Sequence, residues 1–169
     1  MTRPAADIMV RLAEPAEYAA IGDLTARVYV EEGFSAPDSP YLTELRDAAG
    51  RAGSCDLLVV RDGDALAGTV TFCVGGTPYA EVAGPGEAGF RMLAVARSAR
   101  GRGVGQALVR ACLDRAWASG ARTVRLSTKL EMRAAHRLYE RLGFRRTPQL
   151  DWSPVPGTDL LVYSLEKGD

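Results

Sequence analysis

The sequence predicts a mixed α/β fold, and three observations carry that prediction. Apolar, β-branched runs of strand length occur between Asp56 and Val74, at Glu87 to Val95 and at Arg122 to Ser127. Segments with apolar residues at helical spacing lie before, between and after them. No internal repeat, low-complexity tract or linker divides the 169 residues, so a single domain over 1–169, with a core of about 8–166, is expected.

Ile8 to Arg11 reads as a short strand. Glu14-Pro15 then opens a helix, since the N–H that proline lacks would be unpaired in a first turn anyway. Tyr18, Ile21, Leu24 and Val28 carry that helix to about Gly33. Phe34 to Pro40 is a loop, and a second helix covers Tyr41 to Ala49. Asp56 to Val60 and Ala65 to Val74 form a hairpin around Asp62-Gly63, a dipeptide that tolerates positive φ. Gly75 to Gly86 is a flexible connection into a fourth strand, Glu87 to Val95. A long helix from near Gly103 to near Gly120 buries Val104, Ala107, Leu108, Ala111 and Cys112 and turns Gln106, Arg110 and Asp114 to water. After the strand Arg122 to Ser127, Thr128 to Glu131 has capping-box spacing and starts a helix ending at Gly143. Phe144 to Arg146 and Leu160 to Leu165 complete a sheet of about seven strands.

Composition narrows the setting. Cys55, Cys73 and Cys112 are widely spaced and lack CxxC spacing, which fits a reducing, cytoplasmic compartment. The first residues carry Arg3 and Asp7 around a short apolar stretch, and no apolar run reaches membrane-spanning length, so neither secretion nor a membrane partner is expected. Net charge is zero but segregated: residues 1 to 90 hold 6 basic and 14 acidic groups, 91 to 146 hold 14 and 3, and 147 to 169 hold 1 and 4. Either the stretches neutralise each other on the folded surface, or the basic one meets an anionic ligand. Nucleic acid is not expected, because the basic residues are not interleaved with aromatics for stacking.

Arg100-Gly101-Arg102-Gly103-Val104-Gly105 lies between an apolar strand and an amphipathic helix, where unpaired backbone N–H groups converge. The glycines admit an anion to the backbone and the arginines add charge and donors, which together suit a diphosphate. The turn lacks the third glycine of a dinucleotide fingerprint and the Gly-Lys-Ser/Thr of a P-loop.

Arg100, Gly103 and Gly105 match the Gln/Arg-x-x-Gly-x-Gly/Ala cofactor motif of the GNAT superfamily of N-acetyltransferases, which the chain resembles. Met92 to Val95 looks like that family's fourth strand, and His136 to Phe144 is similar to its Leu-Tyr-Glu-Lys-Leu-Gly-Phe signature. The resemblance implies a GNAT-like fold, with a central, mostly antiparallel sheet, flanking helices and a splay between strands 4 and 5. It also implies acetyl-CoA as co-substrate. The pantetheine arm would meet main-chain groups at Leu93, Ala94 and Val95, and the diphosphate would meet Arg100, Gly101, Arg102, Gly103, Val104 and Gly105.

An amine attacks a thioester as the free base, so proton removal, oxyanion stabilisation and reprotonation of the thiolate are all needed. The resemblance makes Tyr139 the general acid; its helical stripe with Met132, Ala135 and Leu142 also suits a core tyrosine. For the base, Glu87 is the candidate, sharing a strand face with Gly89, Arg91 and Leu93; the alternative is a pair with Arg91. Position 89, where some relatives place a carboxylate, is glycine. His136 reads as structural, and no metal site is expected. Acceptor binding is assigned to Tyr29, Glu32, Phe34 and Tyr41, to Arg91, and to Trp152 in a late loop from Gln149 to Thr158. A solvated acidic loop is the alternative for the first group. The expected activity is acetyl transfer to a primary amine of a small molecule or protein, in a ternary complex. A non-catalytic acyl-CoA sensor or docking module is the alternative. Expected partners are the acceptor and, as an option, a second copy of the chain in a homodimer.

Overall fold

The structure, a computed structural model, describes residues 8–168, so the amino-terminal stretch around Arg3 and Asp7 lies outside the described residues. Among the described residues eight strands, β1 (Arg11–Leu12), β2 (Asp56–Asp62), β3 (Ala65–Val74), β4 (Glu87–Val95), β5 (Thr123–Lys129), β6 (Arg145–Arg146), β7 (Trp152–Val155) and β8 (Thr158–Glu166), form one sheet in the order β1-β2-β3-β4-β5-β8-β6, with β7 paired to β8. The chain divides into two compact units, Met1–Thr71 with Met92–Ala111 and Phe72–Arg91 with Cys112–Asp169.

The first unit begins with β1 (Arg11–Leu12), a strand shorter than expected, which pairs antiparallel with β2 (Asp56–Asp62) through Arg11 opposite Val59 and Leu12 opposite Leu58. A 3-10 turn at Pro15–Glu17 leads into α1 (Tyr18–Glu31), which buries Ile21, Leu24 and Val28 as its spacing predicts. The expected second helix is two: α2 (Tyr41–Arg46) and α3 (Ala48–Ala52). Asp47 leaves helical geometry at ψ 63 and its side chain accepts the Gly50 N–H at 3.0 Å, so capping by aspartate breaks the run. Ala13, Ile21, Ala48, Leu57 and Val59 form a core cluster, against which Tyr18, Ala52 and Leu66 pack. Arg51 is buried at 1% exposure, donating to the Glu44 and Leu45 carbonyls at 2.7 and 3.2 Å and to Thr71 Oγ1 at 3.2 Å.

Two strands and one helix are divided between the units: β3 (Ala65–Val74), β4 (Glu87–Val95) and α4 (Val104–Ala118). Along α4 the most buried residues are Val104, Leu108, Val109, Cys112 and Ala116, a stripe rotated slightly from the predicted one. In the second unit the 75–86 connection is packed rather than loose. Ala80 and Ala83 are each 6% exposed, and the Gly75 N–H donates to the Glu87 carbonyl at 2.8 Å. β4 runs parallel to β5 (Thr123–Lys129), and the pairing covers only Glu87 to Gly89 opposite Thr123 to Arg125. β5 pairs antiparallel with β8 (Thr158–Glu166) over its whole length, from Thr123 opposite Glu166 to Lys129 opposite Leu160.

Two expectations are corrected in this unit. Thr128 lies inside β5, so it caps nothing; α5 (Arg133–Arg141) starts after Met132, and Thr128 Oγ1 instead lies 3.5 Å from Met132 Sδ. The late loop contains β7 (Trp152–Val155), which folds back on β8 with Val155 opposite Thr158. β6 (Arg145–Arg146) pairs with β8 as well.

Candidate active site

In the first unit, β4 gives way through a 3-10 turn at Arg97–Ala99 to an extended Arg100, then to Gly101 and Gly103 with φ of +75° and +85°, and α4 starts at Val104. Only glycine adopts these left-handed conformations without strain, so both positions are read from the turn itself. Gly101, Arg102 and Gly103 are exposed. The first turn of the 15-residue α4 presents amides without partners in their own helix. Open glycines, two arginines and a helix start form a donor set that fits a diphosphate. Arg100 Nη1 lies 2.5 Å from Glu32 Oε1, while Arg102 reaches Asp62 Oδ2 at 3.3 Å and the Ser98 carbonyl at 2.9 Å.

Just before this turn, Met92 stands in the interior of β4 with φ of +57°, where a non-glycine residue is rare. Such a residue in a strand costs roughly 1–3 kcal/mol. Leu93, Ala94 and Val95 follow it, with Ala94 buried and its neighbours half-buried. Nothing in the sequence signalled this distortion.

In the second unit, α5 places Tyr139 among Phe90, Phe144 and Tyr163, with ring centroids 5.8, 5.9 and 6.1 Å away. Burial, with a smaller contribution from Cys112, pushes its hydroxyl pKa well above the usual phenol range. The group therefore stays protonated at any working pH. Its hydroxyl makes no hydrogen bond among the described residues, and the ring packs as a core residue. His136 Nε2 lies 2.9 Å from the Lys129 carbonyl, where it donates, and the imidazole packs 5.6 Å from Tyr163.

Glu87 does not pair with Arg91. It holds Arg125 at 2.9 Å and accepts the Gly84 N–H at 2.8 Å, while Arg125 also donates to Ser164 Oγ at 2.8 Å. Burial works to raise the Glu87 pKa, but the Arg125 hydrogen bond, the Gly84 amide and the Arg125 charge outweigh it and set the value below the ordinary carboxylate range. Arg91 pairs instead with Glu81 at 2.6 Å. Gly89 backs onto β5 so closely that a Cβ there would sit 2.9 Å from the Arg125 carbonyl oxygen, which leaves no room for a carboxylate at that position.

The proposed acceptor residues fall into two groups. Tyr29, Phe34 and Tyr41 come together in the first unit, with Tyr29 5.9 Å from Phe34 and 6.4 Å from Tyr41, and Glu32 is joined to Arg100. In the second unit Trp152 Nε1 donates to Ser127 Oγ at 3.0 Å. Beside it Asp151 takes Arg146 at 2.7 Å and the Val162 N–H at 2.8 Å. Arg125 and Ser164 were missed by sequence reasoning because cross-strand partners become neighbours only through register, and Glu81 because it lies in the packed connection before β4. Among the described residues, no cluster of three His, Cys, Asp or Glu side chains is placed to hold a metal ion, and no helix is long and apolar enough to cross a membrane.

Comparison with known proteins agrees with this architecture. A GNAT-family acetyltransferase structure from Staphylococcus aureus Mu50 superposes with a TM-score of 0.75 at 13% identity, covering 94% of this chain and 98% of that one. A GCN5-related N-acetyltransferase from Kribbella flavida gives 0.68 at 25% identity over 94% and 97%. The putative acetyltransferase yncA from Salmonella typhimurium, solved with its cofactor acetyl-CoA, gives 0.68 at 18% over 97% and 96%. In sequence, 74 residues are 39% identical to N-alpha-acetyltransferase 30 of Schizosaccharomyces pombe; the match spans 44% of this chain and about half, 49%, of that relative. The profile of the Acetyltransferase (GNAT) family matches residues 19–144, most of the chain, and the chain belongs to that family.

Proposed function

We propose that the chain transfers the acetyl group of acetyl-CoA to a primary amine, by direct attack within a ternary complex. The observation that carries this reading is the Arg100 to Gly105 turn, where left-handed Gly101 and Gly103 open the backbone at the start of α4 beside two arginines. When bound, acetyl-CoA supplies a thioester carbonyl for the amine to attack and a thiolate that departs. The α4 amides and Arg100 and Arg102 bind and orient the diphosphate. Main-chain groups at Leu93, Ala94 and Val95 hold the pantetheine arm, on the family resemblance. On the family resemblance Tyr139, whose hydroxyl stays protonated at neutral pH, is the proton donor to the departing sulfur.

The N-alpha-acetyltransferase relative favours a polypeptide amino group as acceptor, with small primary amines as the alternative class. The aromatic trio of Tyr29, Phe34 and Tyr41 would stack the apolar part of such an acceptor. A cytoplasmic setting suits three cysteines of which none is in a disulfide.

Release of free thiol from acetyl-CoA in the presence of a mixed panel of amines and amino-terminal peptides tests the proposal. The parent should turn over with at least one acceptor. Tyr139→Phe should lose about 100-fold or more in kcat while binding CoA as before. Binding without acetylation of any amine would replace the enzyme reading by a non-catalytic acyl-CoA module, and full activity in Tyr139→Phe would remove the acid assignment.

A further inference from the structure

Both arginines of the Arg100 to Gly105 turn carry a carboxylate from another element of the first unit, and the two pairs are unequal. Arg102 and Asp62 are more than half exposed and 3.3 Å apart, whereas Arg100 and Glu32 are about two-thirds buried and 2.5 Å apart. A guanidinium presents the same planar donor edge to a carboxylate as to a phosphate. Glu32 therefore holds the part of Arg100 that a diphosphate oxygen would need. It does so from a particular place: it caps the end of α1, with Gly33 and Phe34 immediately after it, and Phe34 packs edge-on against Tyr29.

We propose that Glu32 is a displaceable stand-in for the diphosphate on Arg100 and that, once displaced, it is the carboxylate that attracts the ammonium group of the acceptor. The inference rests on the acetyl-CoA reading of this turn. A diphosphate carries more charge than one carboxylate, so it takes Arg100, and like-charge repulsion then turns Glu32 away from the turn. The side chain is left at the head of the segment that carries Phe34 and leads to Tyr41, where a carboxylate beside aromatic faces suits a cation with an apolar stem. Cofactor binding and acceptor binding are thereby coupled through one residue, and the coupling is reciprocal.

Three proteins separate this idea from a general charge effect: the parent, Glu32→Gln, and Glu31→Gln. Glu31 is the adjacent acid, paired loosely with Arg27 at 3.9 Å, so its removal changes the same net charge without touching Arg100. In calorimetric titration with CoA, Glu32→Gln should bind about 2–5-fold tighter than the parent, the range expected for releasing a partly exposed pair. Glu31→Gln should stay within roughly 1.5-fold, because its exposed carboxylate pairs with Arg27 and is screened by salt. For the amine that turns over best in the panel, Glu32→Gln should raise KM by about 5-fold or more with kcat little changed, the pattern of lost uniform binding. Opposite signs in one variant are not the mark of a structural defect.

If Glu32→Gln is no tighter for CoA than Glu31→Gln, the stand-in is overturned while the acetyl-CoA reading survives. If CoA tightens but KM does not move, the acceptor half is overturned. If the parent does not bind CoA, both this inference and the proposed activity fall, and if CoA binds but no amine is acetylated, the acceptor half falls with the activity.

Discussion

Tyr139 and Glu87 were both candidates for moving protons, and their surroundings separate them. Burial among aromatic rings keeps the phenol protonated. Glu87 is held as an anion, with Arg125 and the Gly84 amide on its oxygens, and a carboxylate with lowered pKa is a poorer acceptor for an ammonium proton. Its ion pair joins β4 to β5 next to the last paired position, Gly89 opposite Arg125. The expected result for Glu87→Gln is therefore a loss of stability of about 1–3 kcal/mol, because Arg125 loses its charged partner while still half-buried. The pH profile of kcat/KM should keep its acidic limb where the parent has it. Denaturant titration and the pH profile check the two halves, and a displaced limb would return Glu87 to the role of base.

At the scale of elements, Glu17 ties together the opening of α1 and two strands. Its carboxylate takes Arg11 from β1 at 2.7 Å, Arg61 from β2 at 2.8 Å and the Glu14 N–H at 2.9 Å. The Arg11 hydrogen bond leads, burial opposes it, and the remaining partners bring the pKa from 4.5 to about 2. A folded value below the unfolded one means that this stabilisation is complete above about pH 4.5 and is lost as pH falls toward 2. Glu17→Gln should cost roughly 2–3 kcal/mol at pH 7 and flatten the decline of stability over that acid window. Urea unfolding at several pH values reads both effects. Other elements show what the sequence could reveal. Periodic segments such as α1, β3, β4 and α4 were legible because 3.6- and 2-residue patterns survive folding. The break at Asp47 was not, because one side chain there competes with the helix. β7 was not, because it has four residues and is specified by its partner β8. The turn at Gly101 and Gly103 was legible from its glycines, whereas Met92, the buried Arg51 and the Glu87–Arg125 pair depend on tertiary context that no local pattern carries.

Over the whole molecule, part of the charge segregation of the sequence is folded into neighbouring pairs. The stretch 1 to 90 has 14 acids against 6 bases and 91 to 146 has 14 bases against 3 acids, yet Glu32–Arg100 and Asp62–Arg102 in one unit and Glu81–Arg91 and Glu87–Arg125 in the other join the two stretches. The neutralising reading of the basic stretch thus holds for Arg91 and Arg125, and the anionic-ligand reading is the one proposed for Arg100 and Arg102. Arg91 and Arg125 sit in half-buried pairs that resist exchange, while Arg100 and Arg102 sit in more exposed ones that an anion can enter. This division sets an expectation for salt. Raising ionic strength from about 0.05 to 0.5 M shortens the Debye length from roughly 14 to 4 Å and should weaken CoA binding several-fold, while the thermal midpoint moves by only a few degrees. Salt also loosens the Glu32–Arg100 pair that competes with the ligand, so the parent's loss is partly offset. Glu32→Gln has no such pair to loosen, and its CoA affinity should fall more steeply with salt than the parent's in the same titrations. Equal slopes would mean that Arg100 does not exchange between the two anions, and a salt-independent affinity would mean that the arginines of the turn do not read the ligand's charge.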